Sequence, residues 1–154
     1  MRRRILKKIV YHGRDILHSS NMQQTKTYLQ HGSVSCYQHS CAVAYLSVLI
    51  SEQLHIRCDQ RSMIRGALLH DYYLYDWHIK DQSRPLHGFA HAAFALRNAR
   101  RDFIINEIEA DVIKRHMFPL NITPPSRRES VIVCIADKLC ALRETFWKKP
   151  YQTS

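Results

Sequence analysis

Six side chains in this chain of 154 residues are of the types that hold a divalent ion: His39, the adjacent pair His70 and Asp71, His91, His116 and Asp137. Each sits among apolar neighbours. His70 follows Ala67, Leu68 and Leu69, and Asp137 ends the run VIVCIA over 131–136, where an unpaired carboxylate carries a large desolvation cost. A bound ion removes that cost. Imidazole and carboxylate without thiolate suit Fe, Mn, Zn, Ni or Co better than a purely oxygen-loving ion, and mixed sites of this kind activate bound water. Adjacent helical residues diverge by about 100°, so His70 and Asp71 reach one ion only from a helix end, or with Asp71 bridging two ions. His87 stands four residues before His91 on the same helical face, so either can point at the site. Taken singly, each residue reads more readily as a hydrogen-bonded core group than as a ligand. One sequence leaves both readings open.

Such side chains need rigid elements behind them, and the chain reads as all-α. It has four glycines and five prolines, and its apolar residues recur at steps of three and four. Strand signals are nearly absent. A first helix is expected from Asn21, as N-cap, to a glycine stop at Gly32. Ser33 or Ser35 caps a second, from Tyr37 to about Leu54, and Asp59 a third that runs through Met63, Ile64, Ala67 and Leu68 into His70 and Asp71. A loop from Tyr72 to Arg84 is a candidate lid, in which Tyr72, Tyr73, Tyr75 and Trp77 either stack on a base or pack the loop down. Pro85 precedes a helix from about Leu86 to Arg101. Asn106 with Glu109, and Ser126 with Glu129, have capping-box spacing for helices ending near His116 and Phe146. The ends, Met1 to Lys8 and Lys148 to Ser154, read as loosely held.

The length suits a single domain, residues 1–154, and no stretch approaches the roughly 18 apolar residues of a membrane helix. A cytoplasmic protein is expected. Cys36, Cys41, Cys58, Cys134 and Cys140 are odd in number, form no CxxC pair and lie in apolar helical contexts, so they read as reduced core residues. The formal net charge of +10, from 23 Lys and Arg against 13 Asp and Glu, favours anionic partners. Basic residues are scattered without interleaved aromatics, which ranks a nucleic-acid surface last.

The order His, His-Asp, His, His, Asp resembles the HD-domain superfamily. The segments that carry the likeness are YQHSCAVA (37–44), GALLHD (66–71), LHGFAHA (86–92), IKRH (113–116) and IADK (135–138). It spans about residues 33–146, with the helix at about 21–31 packed on that core. The resemblance implies a helical bundle of the HD-domain type around one or two divalent ions (Fe, Mn, Ni, Co, Zn or Mg), and hydrolysis of a phosphomonoester or phosphodiester of a nucleotide or related small phosphate. His39, His70, Asp71 and Asp137 match the minimal ligand set. His91 and His116 match the histidines of two-metal members, with Asp71 as the bridging carboxylate. His87 competes with His91 for the third motif, although Ala95, Asn98 and Ala99 follow His91 at the family's spacings. Where many members carry lysine three residues after the pair, this chain has Leu74. Phosphate contacts are therefore expected from Lys138 and Arg143, with Arg65, Lys80 and Arg84 behind them. The expected partners are a small phosphorylated substrate, a nucleotide first, and a second copy of the chain. A non-catalytic module that binds metal and nucleotide is the competing reading.

Overall fold

The computed structural model describes residues 1–75 and 87–147, and for 31, 87–90 and 147 the backbone alone. Among the described residues the chain forms seven helices and one hairpin: α1 (Arg2–Leu17), α2 (Ser20–Gln24), β1 (Leu29–His31), β2 (Val34–Ser35), α3 (Cys36–Gln53), α4 (Gln60–Leu69), α5 (His87–Asp102), α6 (Glu107–Arg115) and α7 (Arg128–Trp147). The all-α class stands. No helix among them is long and apolar enough to cross a membrane.

The middle of the chain starts its helices where polar caps direct. Ser35 and Gln38 close a capping box on α3, Asp59 accepts from the Ser62 amide to open α4, and Asn106 with Glu109 boxes α6. α3 and α4 pack together at the centre, with α7 against α3 and α6 against both α4 and α7. Val43, Val48, Met63, Ile64, Leu68, Ile113 and Val133 are fully or almost fully buried between them. α4 and α6 approach so closely that a Cβ on Gly66 would lie 2.7 Å from Val112 Cβ. Gly66→Ala is expected to cost about 1–3 kcal/mol by overpacking, measurable as a lower urea midpoint at unchanged slope.

The expected start of the chain needs correcting, while the expected loose end, residues 148–154, lies outside the described residues. Residues 2–8 are not loose: Ile5, Ile9 and Ile16 recur at helical spacing, bury one face of α1 against α3 and α4, and leave the basic residues outside. Arg4 and Lys8 then reach Glu52 at 2.6 and 2.9 Å. No helix spans 21–31 either. Ser19, not Asn21, caps the short α2, and the chain turns into a hairpin at Gly32, whose φ of +58° is a turn conformation rather than a helix stop. Ser126 and Glu129 make no capping box, because each finds a tertiary partner instead. Ser126 bonds Asp111 through its amide and hydroxyl, and Glu129 accepts from the Asp59 amide. Arg65 is buried against Glu109 at 2.9 Å and Asp15 at 2.6 Å, so it is no phosphate ligand. The cysteines are free, as expected.

Candidate metal centre

Five helices deliver the cluster: His39 from α3, His70 and Asp71 from the end of α4, His91 from α5, His116 from the end of α6 and Asp137 from α7. All six residues are buried. His70 and His116 are held by the same device. Each is the C-cap residue of its helix, where the last carbonyls lack intrahelical partners, and each ring donates Nδ1–H at 2.8 Å to the carbonyl three residues back, Ala67 O and Ile113 O. A carbonyl only accepts, so the proton is fixed on Nδ1 and the Nε2 lone pair is turned inward. His39 is held from the outside by Glu144, whose carboxylate accepts from Nδ1 at 2.9 Å.

These constraints bring the Nε2 atoms around Asp71. Its Oδ2 lies 3.3 Å from His70 Nε2 and 3.8 Å from His39 Nε2. Its Oδ1 lies 3.4 Å from His91 Nε2 and 3.5 Å from His116 Nε2. Asp137 Oδ1 completes the first side, 3.0 Å from His39 Nε2 and 3.6 Å from His70 Nε2. Ligands on one ion at bonds of about 2.1 Å stand roughly 3–3.6 Å apart, which is the spacing of every pair here except His39 with Asp71. Two of them, His70 Nε2 and Asp71 Oδ1, are buried without a hydrogen bond. His91 Nε2 and His116 Nε2 face each other at 3.0 Å. Lone pairs converging this closely call for a cation, and the donor set fits a divalent one. Two triads meet the separation needed to share an ion: His39, His70 and Asp137, and His70, Asp71 and His116.

The family comparison agrees with this geometry. A family model of the HD domain matches residues 36–142. This chain belongs to the HD-domain family. No curated protein and no solved structure gives a match. HD domains are a superfamily of metal-dependent phosphohydrolases, and in this one the naming pair, His70 and Asp71, occupies the centre of the buried cluster.

Not every expected residue arrives. The side chain of His87, the lid residues from 76 to 84 with Trp77, and Lys80 and Arg84 all lie outside the described residues. His91 is in the cluster. Tyr72 and Tyr73 are buried, Tyr72 donating to Asp102 and Tyr73 to Gln30, so both pack the start of that segment onto the body. Asn98 holds the same turn by donating to both their carbonyls, at 3.1 and 3.0 Å. Lys138 donates to His116 O at 2.8 Å, and its ammonium stands 3.8 Å from Asp137 Oδ2. Arg143 is exposed on α7, six residues past Asp137 and so about 120° around the helix from it.

Two residues that matter carry no motif. Glu144 lies seven residues after Asp137, two turns along one face, a spacing that the sequence does offer. Gln30, on the hairpin, donates its amide to Asp71 Oδ2 at 2.5 Å, while its carbonyl accepts from Tyr73 and, at 3.2 Å, from Cys36 Sγ. Those two donors fix which end of the Gln30 amide faces Asp71. The Glu144–His39 pair is expected to raise ligand basicity and hold the ring. Glu144→Ala should weaken divalent-metal binding about 10–100-fold in a chelator-competition assay, and Glu144→Gln, which still accepts from Nδ1, should recover part of that loss.

Without an ion, protons supply the positive charge. Burial pushes the His39 imidazole down, but hydrogen bonds to Asp137 and Glu144 outweigh it and lift the group to about 9. His70 also rises well above its ordinary value, because the nearby carboxylates, Asp71 first and then Asp137, overcome its burial. Burial pushes Asp71 and Asp137 up, yet the neighbouring histidines hold both well below the usual carboxylate range. For the metal-free protein, the histidine contribution to stability is fully present below the ordinary value of 6.5 and is lost as pH rises towards about 9. A metal must displace those protons, so its affinity rises over the same interval. The gap in melting temperature between metal-loaded and chelated protein should therefore widen from pH 6.5 to 9. A constant gap would contradict this linkage.

Proposed function

We propose that this HD domain is a phosphohydrolase that cleaves a phosphomonoester or phosphodiester of a nucleotide or a related small phosphate compound, using two divalent ions that His39, His70, Asp71, His91, His116 and Asp137 would hold. The observation that carries the reading is the division of labour at Asp71. Its two oxygens face two different sets of Nε2 atoms, as a bridging carboxylate requires. Bound there, divalent ions supply Lewis acidity for a phosphoryl oxygen and lower the pKa of water for in-line attack on phosphorus.

The chain's own groups do the positioning. His70 and His116 are held at fixed tautomers by the ends of α4 and α6, and His39 by Glu144. Gln30 orients Asp71. Lys138 is part-exposed beside Asp137, so its ammonium can turn from His116 O to neutralise phosphoryl oxygen. The net charge of +10 favours encounter with anionic substrates at low ionic strength.

The test is elemental analysis followed by turnover of phosphomonoesters, linear and cyclic nucleotides and dinucleoside polyphosphates, each with Mn, Fe, Co, Ni, Mg and Zn. Metal-dependent release of phosphate or nucleotide, abolished by chelator, is expected. Folded, metal-loaded protein that binds nucleotides but cleaves none of the panel would overturn catalysis in favour of a binding module.

A further inference from the structure

α7 is apolar on two sides. One side carries Asp137 and Glu144 and packs into the bundle, and the other presents Val131, Ile135, Leu139, Leu142 and Phe146, each 44–75% exposed. At about 100° per residue these five fall within an arc of roughly 80° and run for about 22 Å of helix. Their steps of four, four, three and four are those of a helix that packs along a second helix. The stripe also reads nearly the same in both directions. Reversed about its midpoint, Val131 exchanges with Phe146 and Ile135 with Leu142, while Leu139 stays at the centre.

We propose that this stripe is a homodimer interface, in which α7 of two copies pack antiparallel across a two-fold axis. A surface that must match itself needs that reversal symmetry, and the small Val131 then meets the large Phe146. A parallel pair would instead place Phe146 on Phe146 and Arg128 on Arg128. Complete burial of these five side chains, 44–75% exposed in each copy, would bring a pair to roughly 1,000 Å², the threshold for a specific interface. Lys138, the charged residue nearest the centre, reaches away from the stripe toward His116 O and Asp137, the side on which it would also meet phosphate. Arg128 and Arg143 flank the stripe as like charges, so added salt should tighten the dimer, opposite to its effect on a nucleic-acid or acidic-protein partner.

Sedimentation equilibrium of the full chain tests this, with Leu139→Lys and Ile135→Lys as variants. Both positions are already exposed, so far-UV circular dichroism and metal content should stay at the wild-type level. The wild type should be a dimer at micromolar concentration, tighter at higher salt. Each variant should weaken association about 100-fold or more, because each buries a lysine twice in the symmetric pair. Oxidised Leu139→Cys protein should run as a covalent dimer that wild type does not form. A wild-type monomer throughout the concentration range would overturn the proposal, as would a dimer indifferent to both lysine variants.

Discussion

Asp71→Asn protein is expected to fold, to purify with little or no metal, and to lose at least ~10³-fold in phosphohydrolase activity, the equivalent of several kcal/mol of lost stabilisation. Asparagine keeps the shape of the side chain but cannot keep its role. One oxygen of Asp71 faces His39 and His70 and the other faces His91 and His116. In the amide, one of those sets must meet an NH2 group, which repels a cation, and the negative charge between the two sets is gone. Burial makes that charge matter more, since little water remains to screen it. Metal content by mass spectrometry and a cooperative melt must be read together with turnover. A well-folded Asp71→Asn protein with wild-type metal and rate would sink the site.

The second large effect is on stability and lies away from the cluster. Glu109 is buried, accepts from Arg65 Nε at 2.9 Å, and closes the α6 capping box by accepting from the Asn106 amide at 3.1 Å. Arg65 is buried too, and reaches Asp15 of α1 at 2.6 Å and the His12 carbonyl at 3.4 Å. Glu109→Ala leaves Nε of a buried guanidinium without its acceptor, while Asp15 still holds Nη1, and frays a helix start at the same time, so unfolding free energy should fall by about 2–4 kcal/mol in urea titration. Replacing Arg65 as well, in Arg65→Met with Glu109→Leu, should recover much of the loss, because the buried Nε–H left without an acceptor goes with it. A single-variant loss below about 1 kcal/mol would show that α1, α4 and α6 do not depend on this pair.

How much of this could be read along the chain differs by element. α3, α4 and α6 announce themselves because polar caps at Ser35, Asp59 and Asn106 precede apolar residues at helical spacing. The box at Ser126 and Glu129 has the same spacing and does not form, because Asp111 and the Asp59 amide compete for its members. α1 hides behind its arginines and lysines: charge density suggests a loose end, whereas Ile5, Ile9 and Ile16 decide the matter by burial. Glu144 has a legible spacing from Asp137. Gln30 has none, since its contact with Asp71 crosses 41 residues and depends on a hairpin turn.

By itself the sequence determined the chemistry available: six imidazole and carboxylate ligands in apolar settings, in the order of an HD domain, on helices whose caps are local. Such features are local because caps and helical periodicity act within a few residues. Only the tertiary structure decided that the six side chains meet, that Asp71 turns one oxygen to each group of histidines, and that Glu144 and Gln30 hold the inner residues in place. It also decided that Arg65 braces α1 and that Arg143 lies on a different side of α7 from Asp137. Those outcomes rest on distances between residues far apart in the chain, set by how five helix ends and faces pack, and no spacing along one strand of sequence encodes them.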